Sequence, residues 1–256
     1  MEFTFGIITN GGDLTLPLLS IRQLNIQNYE IIIVGNPSKF TLDDKTTIIP
    51  FDEANKEGWI TKKKNLICQN AKFENIVLLH DYIFIHPDFY NGFIKFGNNF
   101  DICVTKILNA DNTRYRDFIL FPYYPWWEKV KNWKCNKFLL PYWLPNNSKL
   151  NKYTYISGSF YVIKKHIALK YPLDESLGWG EGEDVEFSYR TACRGIVAQM
   201  NPHSVVSFLK YKSIPAWDVE ITDTRLLRLL NSLTARDVEK WKRDPACFHL
   251  FPILHI

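Results

Sequence analysis

Apolar runs recur along the first hundred positions, separated by glycine-rich or polar breaks. Residues 3–9 (FTFGIIT) predict a strand that ends at Asn10-Gly11-Gly12, and Leu14, Leu18 and Ile21 then fall at helical spacing, with Asp13 placed to cap. Residues 29–34 (YEIIIV) do not alternate, as expected of a strand buried on both faces in a parallel sheet, and Gly35-Asn36-Pro37 closes the run. Residues 46–51 predict a third strand, and 59–71 a helix with Ile60, Ile67 and Ala71 on one face. A fourth strand over 76–85 is interrupted at His80-Asp81-Tyr82. Strands alternating with helices predict an α/β layered fold with a mostly parallel central sheet, in which ligands collect at the carboxyl ends of strands.

From Asn109 to Tyr155 the pattern dissolves into FPYYPWWEKVKNW and LLPYWLPNN, the composition of a binding loop or lid. Strand character resumes over 155–164 (YISGSFYVIK). A helix carrying Val185, Tyr189, Ala192 and Ile196 follows, and 196–208 contains a final strand broken by Asn201-Pro202-His203. Two helices are expected beyond Trp217, one lined by Leu226, Leu227, Leu230 and Leu233, the next starting at Thr234 with Asp237 in a capping-box-like position. The tail CFHLFPILHI is apolar enough to need a surface, with packing inside the chain as the default and a homo-oligomer or membrane-surface contact as the alternatives.

Composition narrows the class. At 256 residues and 46% hydrophobic content the chain can bury a substantial core. A net charge of +4, from 31 basic and 27 acidic residues, is too mild to suggest nucleic acid as a partner. Cys68, Cys103, Cys135, Cys193 and Cys247 are far apart and form no CxxC pair, so a reducing compartment is expected. The N-terminus lacks the features of a signal peptide and no apolar run approaches the length of a transmembrane segment, which together predict a cytoplasmic protein.

Candidate chemistry concentrates in GWGEGEDVEFSYR, residues 178–190. Glu181, Glu183, Asp184 and Glu186 stand beside alternating glycines at a predicted helix start. Acids favour a first helical turn and Glu186 can pair with Arg190, which accounts for part of the clustering. The glycines and Trp179 remain, and a loop that presents an acid at a helix N-terminus suits a general base. Asp81 interrupts an apolar run, so it belongs at a strand end, paired, or on a cation; there it could hold a divalent metal over a diphosphate, or simply cap. His203 is a candidate nitrogen ligand, or structural. Lys62 to Lys64 read as a solvated face or as a phosphate contact, with Asn65 beside them. The aromatic middle is core or sugar platform.

Together FGIITNGGD, YEIIIVGN, GWITKKKN, LLHDY, ISGSF and WGEGEDVE resemble, in this order, the GT-A fold nucleotide-sugar glycosyltransferases related to family 2, with WGEGEDVE similar to the WGxGxED element of galactosyltransferase-type enzymes. The resemblance implies a Rossmann-like three-layer fold with a catalytic domain over 1–210, divided into a nucleotide-binding half (1–108) and an acceptor half (109–210), and a helical extension over 211–256. It implies that Thr9 and Asn10 border the nucleotide, that Lys64 and Asn65 lie near base or ribose, and that Gly158 and Ser159 line the donor sugar. Asp184 becomes the base of an inverting transfer, with Glu183 its rival. Asp81 takes the place of the last acid of a DxD motif, with His203 as distal ligand for Mn²⁺ or Mg²⁺. HDY lacks a second aspartate, so His80 or water fills that role, or metal dependence is weak. The implied donor is a UDP-sugar and the acceptor a glycan, peptide or lipid-linked sugar, met by Arg114, Arg116, Trp126, Trp127, Trp179 and Gly180. A dehydrogenase would want GxGxxG after the first strand, and a nucleotidyltransferase an arginine in NGGDLTLP; neither is present. A non-catalytic carbohydrate- or nucleotide-binding protein on the same fold is the alternative of a different class.

Overall fold

In the computed structural model, which describes residues 1–120, 137–213 and 218–220 together with residues 225 and 228, the first apolar runs become strands β1 (Phe3–Ile8), β2 (Tyr29–Val34), β3 (Thr46–Ile49) and β4 (Asn75–His80). All are joined in parallel, with β1 paired to both β2 and β4 and β2 to β3. Helix α1 (Thr15–Arg22) follows β1, and α2 (Ile60–Asn70) precedes β4. Asp13 stands one residue before the N-cap, Leu14, and its carboxylate accepts the Thr15 amide at 2.8 Å.

The HDY interruption is real. β4 ends at His80, and a short β5 (Ile83–Ile85) departs to the far edge of the sheet. Next come α3 (Phe89–Phe96) and β6 (Ile102–Leu108), which the periodicity reading passes over. The irregular middle segment contributes β7 (Ile119–Leu120), β8 (Lys137–Leu139) and β9 (Thr154–Tyr155), followed by β10 (Phe160–Lys164), α4 (Lys165–Lys170), α5 (Glu183–Ala192), β11 (Ala198–Phe208) and β12 (Asp218–Glu220). The main sheet has eight strands in the order β3-β2-β1-β4-β10-β6-β11-β5, and β12-β8-β7-β9 form a smaller one. β10 is antiparallel to both neighbours, β4 and β6. Its amino end, at Gly158 and Ser159, therefore meets the carboxyl end of β4.

Period-two burial divides the sheet's side chains between two cores. Phe3, Phe5, Ile7, Ile31, Ile33, Val77 and Leu79 pack with α1 and α3, where Phe89 and Phe93 stack at 4.9 Å between ring centroids. Ile8, Ile32, Val34, Ile76 and Leu78 pack with Ile60 and Ile67 of α2, Ile167 of α4 and Phe187 of α5. Helices on both faces of a mostly parallel sheet give the expected three-layer α/β architecture.

Asn201-Pro202-His203 does not break the last strand: β11 runs through it, with a register shift between Asn201 and Val205. A bulge needs no ladder donor at Pro202, and Asn201 Oδ1 accepts the His203 amide at 3.0 Å. The expected C-terminal helices, Trp126, Trp127, Cys135 and Cys247 lie outside the described residues. No helix among the described residues is long and apolar enough to cross a membrane.

Candidate functional site

Two groups of polar side chains meet where β1 and β4 end and β10 begins. The first surrounds Asp81. Its backbone N–H donates to Ile8 O at 3.2 Å, and its Oδ2 accepts the Thr9 hydroxyl at 2.6 Å. Thr9 Oγ1 accepts the Gly12 amide at 2.9 Å, and Lys63 donates to the Thr9 carbonyl at 2.7 Å. A side chain at Gly12 would fall on the Asp81 carboxylate, so glycine there is a condition of this close approach. Asn10 is exposed at the loop tip. Beyond Asp81 opens a cavity of about 450 Å³, lined by Gly12, Asp13, Asp81, Tyr82, Lys210 and Lys212 among others. Burial draws the Lys212 ammonium down to about 8, with the Asp81 charge pulling the other way.

The second group is built on α5. Gly182 is its N-cap at a φ of +76°, and Glu183, Asp184 and Glu186 occupy the first turn. Gly158 N–H donates to Asp184 Oδ2 at 3.1 Å, while Lys64 donates to the Gly158 carbonyl at 2.7 Å and lies 3.7 Å from Glu183 Oε1. A Cβ on Gly158 would lie 2.5 Å from Glu183 Oε1, so any side chain there would push the Glu183 carboxylate aside. Ser188 Oγ accepts the Ile156 amide at 3.0 Å and donates to the Asp184 carbonyl at 2.7 Å, binding the helix to the strand entry. Burial pushes the Glu183 carboxyl up to about 7, against the downward pull of Lys64. The same burial lowers Lys64. Asp184 is only half-buried. Glu186 is taken by Arg190 at 2.6 Å, the supporting pair its spacing implies.

His80 joins the groups, since its backbone N–H donates to Ser159 O at 3.1 Å. Burial, then the charges of Lys64 and Lys212, hold its imidazole well below the ordinary value, and its Nε2 has no hydrogen-bond partner among the described residues. Ser159 Oγ is 2.8 Å from Ser157 Oγ. Thr9, Asp81, His80, Gly158, Ser159, Glu183 and Asp184 therefore form one continuous rim.

Other expected residues serve elsewhere. Lys64 is 1% and Asn65 5% exposed, because this face of α2 turns inward. Asn65 accepts the Leu173 amide at 3.0 Å and donates to the Leu173 carbonyl at 2.9 Å, so it fixes the loop before α5 rather than facing a base or ribose. Arg114, expected at an acceptor, is committed to Asp117, donating from Nε and Nη2 at 3.0 and 2.8 Å, and to Leu140 O. A fully buried carboxylate demands such compensation. His203 is exposed on the β11 bulge, five residues before Phe208, whose partner Ile83 is two residues past Asp81. At about 3.3 Å per residue the separation is on the order of 15 Å or more, so His203 cannot share an ion with Asp81. Its charged neighbours are Lys95 and Lys106. Trp179 remains 73% exposed, with its backbone N–H on Gly58 O at 2.9 Å, and Gly180 beside it has a φ of +80°. Lys63 and Tyr82 lie within GWITKKKN and LLHDY, whereas Lys210 and Lys212 belong to no motif; their signal is a pair of lysines directly after the final strand of the main sheet.

Comparison of sequences finds no matching family profile and no matching curated protein. Comparison of folds does find relatives. A structure of GalNAc-T7 with UDP, GalNAc and Mn²⁺ superposes with a TM-score of 0.55 at 13% identity, covering 85% of this chain and 45% of that one. S. aureus TarS 1–349 in complex with UDP-GlcNAc gives a TM-score of 0.52 at 11% identity, covering 85% of this chain and 60% of that one. The chain thus spans about half to three-fifths of the length of these relatives. At such identities the likeness establishes the fold: it is that of the GT-A glycosyltransferases.

Proposed function

We propose that the protein is an inverting glycosyltransferase that moves a sugar from a nucleoside-diphosphate sugar, of the UDP class, to an acceptor hydroxyl. The observation that carries the reading is Asp184, held by the Gly158 amide at the same sheet edge as the Asp81 cavity. UDP and UDP-GlcNAc in the fold relatives support the donor class.

Asp184 accepts the proton of the acceptor hydroxyl as that oxygen forms its bond to the anomeric carbon. The bond from that carbon to the diphosphate oxygen breaks on the opposite face, and its electron pair leaves with the nucleoside diphosphate. Glu183 and Lys64 position Asp184 through Gly158. Trp179 offers an exposed aromatic face on the acceptor side for a glycan, peptide or lipid-linked acceptor.

GalNAc-T7 was solved with Mn²⁺. The residues here do not fit a resident divalent ion: no group of three His, Cys, Asp or Glu side chains converges among the described residues. Asp81 is engaged by Thr9, Asp13 leans to Thr15 and Lys39, and His203 is remote. At His80 the ion would meet the charges of Lys64 and Lys212. No step is assigned to a metal.

The test is a panel of UDP-, GDP- and CMP-sugars, with nucleotide release and calorimetric binding of UDP against GDP as readouts. Saturable UDP binding and release from a UDP-sugar are expected. A folded protein that binds none of the nucleotides and releases nothing would be the non-catalytic alternative.

A further inference from the structure

The cavity beside Asp81 carries a charge that the transfer chemistry above leaves unused. Lys212 stands just after the chain leaves β11, in a turn anchored on both sides: Leu209 N–H donates to Tyr82 O at 2.9 Å, and Lys212 N–H donates to Asn109 Oδ1 at 3.0 Å. Asn109 is itself fully buried. The Lys212 ammonium lies 3.8 Å from the Tyr82 ring centroid and 4.6 Å from that of Phe208, so aromatic faces hold the cation without neutralising it. Lys210 lines the same cavity.

We infer that Lys212, with Lys210 beside it, is the anion-binding wall of this cavity and holds the diphosphate of donor and departing nucleotide by direct ammonium contact, supplying the charge for which these residues provide no metal site. The inference rests on the nucleotide-sugar reading. The lining sets Asp13 and Asp81 against Lys210 and Lys212, and Lys39, 3.9 Å from Asp13, adds a third cation beside it, so the cluster is net positive, as a diphosphate requires. When the bond from anomeric carbon to diphosphate oxygen breaks, negative charge grows on the leaving oxygen, and a cation already fixed nearby gains interaction in the transition state over the ground state. The nucleoside diphosphate departs as the anion, so Lys212 need not surrender a proton.

The test uses the full chain with UDP and uridine as calorimetric probes in the presence of EDTA. Wild type is expected to bind UDP without added metal. Lys212→Gln should weaken UDP roughly ten- to hundredfold, as for a lost charged hydrogen bond, while uridine affinity stays unchanged, and Lys212→Arg should restore UDP binding. Unchanged UDP affinity in Lys212→Gln, alongside wild-type release of UDP from a sugar donor, overturns the inference and leaves the glycosyltransferase reading standing. The inference falls equally if chelation abolishes wild-type UDP binding, or if uridine and UDP weaken together and arginine fails to rescue. A wild type that binds no nucleoside diphosphate overturns both.

Discussion

The sheet edge carries lysine and carboxylate twice, in opposite settings. Lys64 and Glu183 are buried together, their side chains 1% and 8% exposed and 3.7 Å apart, and Lys64 donates to the Gly158 carbonyl. Lys212 and Asp81 line an open cavity. Identical residue types therefore do different work. A buried pair offsets only part of its own desolvation, and what it contributes is fixed geometry; a cavity pair remains available to an incoming charge. Asp184 is the test of this division, because it is tied to the buried pair through Gly158 yet stays half-exposed. Asp184→Asn keeps an oxygen for the Gly158 amide at the cost of the acceptor for the Val185 amide, and it removes the basicity. Turnover is expected to fall by about 10²- to 10⁴-fold, with a stability loss of only about 1 kcal/mol. Full turnover in a folded Asp184→Asn protein would transfer the role of base to Glu183 and dissolve the distinction between scaffold and chemistry.

The second prediction attacks the buried pair. Lys64→Met leaves the Glu183 carboxylate without its cation, and the cost depends on pH. In the wild type Glu183 is raised from 4.5 to about 7, so the native state binds more protons than the unfolded state across that window, and the stability contributed by this group falls as pH rises from about 4.5 to about 7. Without Lys64 the downward pull is lost and the native value rises further, so the fall continues to higher pH. The deficit of Lys64→Met in urea unfolding should be about 3 kcal/mol at pH 8 and clearly smaller at pH 5, where Glu183 is protonated in both proteins. A deficit that is equal at both values, or larger at pH 5, would show that Glu183 does not depend on Lys64 and that the pair is no rivet.

What sequence alone conveys divides along the same line. WGEGEDVE is legible because glycines and acids at a helix start form a local pattern, and the apolar runs of β1, β2 and β4 are legible because burial on both faces leaves few polar positions, Thr4, Glu30, Asn75 and His80. α3 and β6 are harder: FYNGFIKF carries a glycine and four aromatics where helix formers are expected, and ICVTKIL has a lysine within it. Lys63, Lys64 and Asn65 read as a solvated face or as contacts to phosphate, base or ribose, because nothing local shows that α2 faces the loops before and after β10. Their partners, Thr9, Gly158 and Leu173, are 54 to 108 residues away. The Lys212 wall depends on the turn after β11 folding back over Tyr82, which is likewise a long-range fact.

The smallest expected effect is also the sharpest check on the geometry. A histidine after Asn-Pro reads as a loop residue able to reach a metal, whereas the bulge in β11 keeps it in the sheet, exposed, with Lys95 and Lys106 as charged neighbours. Here Ser204, not His203, does the packing: its hydroxyl donates to Phe89 O at 2.8 Å and accepts from Asn201 Nδ2 at 2.9 Å. The His203 main chain keeps its bond to Asn201 whatever side chain it bears. His203→Ala should therefore change stability by no more than about 0.5 kcal/mol and leave UDP affinity and turnover within about twofold of wild type. A tenfold loss of UDP binding in this variant would mean that the bulge brings residue 203 to the cavity during turnover, and the separation between the two ends of β11 would no longer divide site from scaffold.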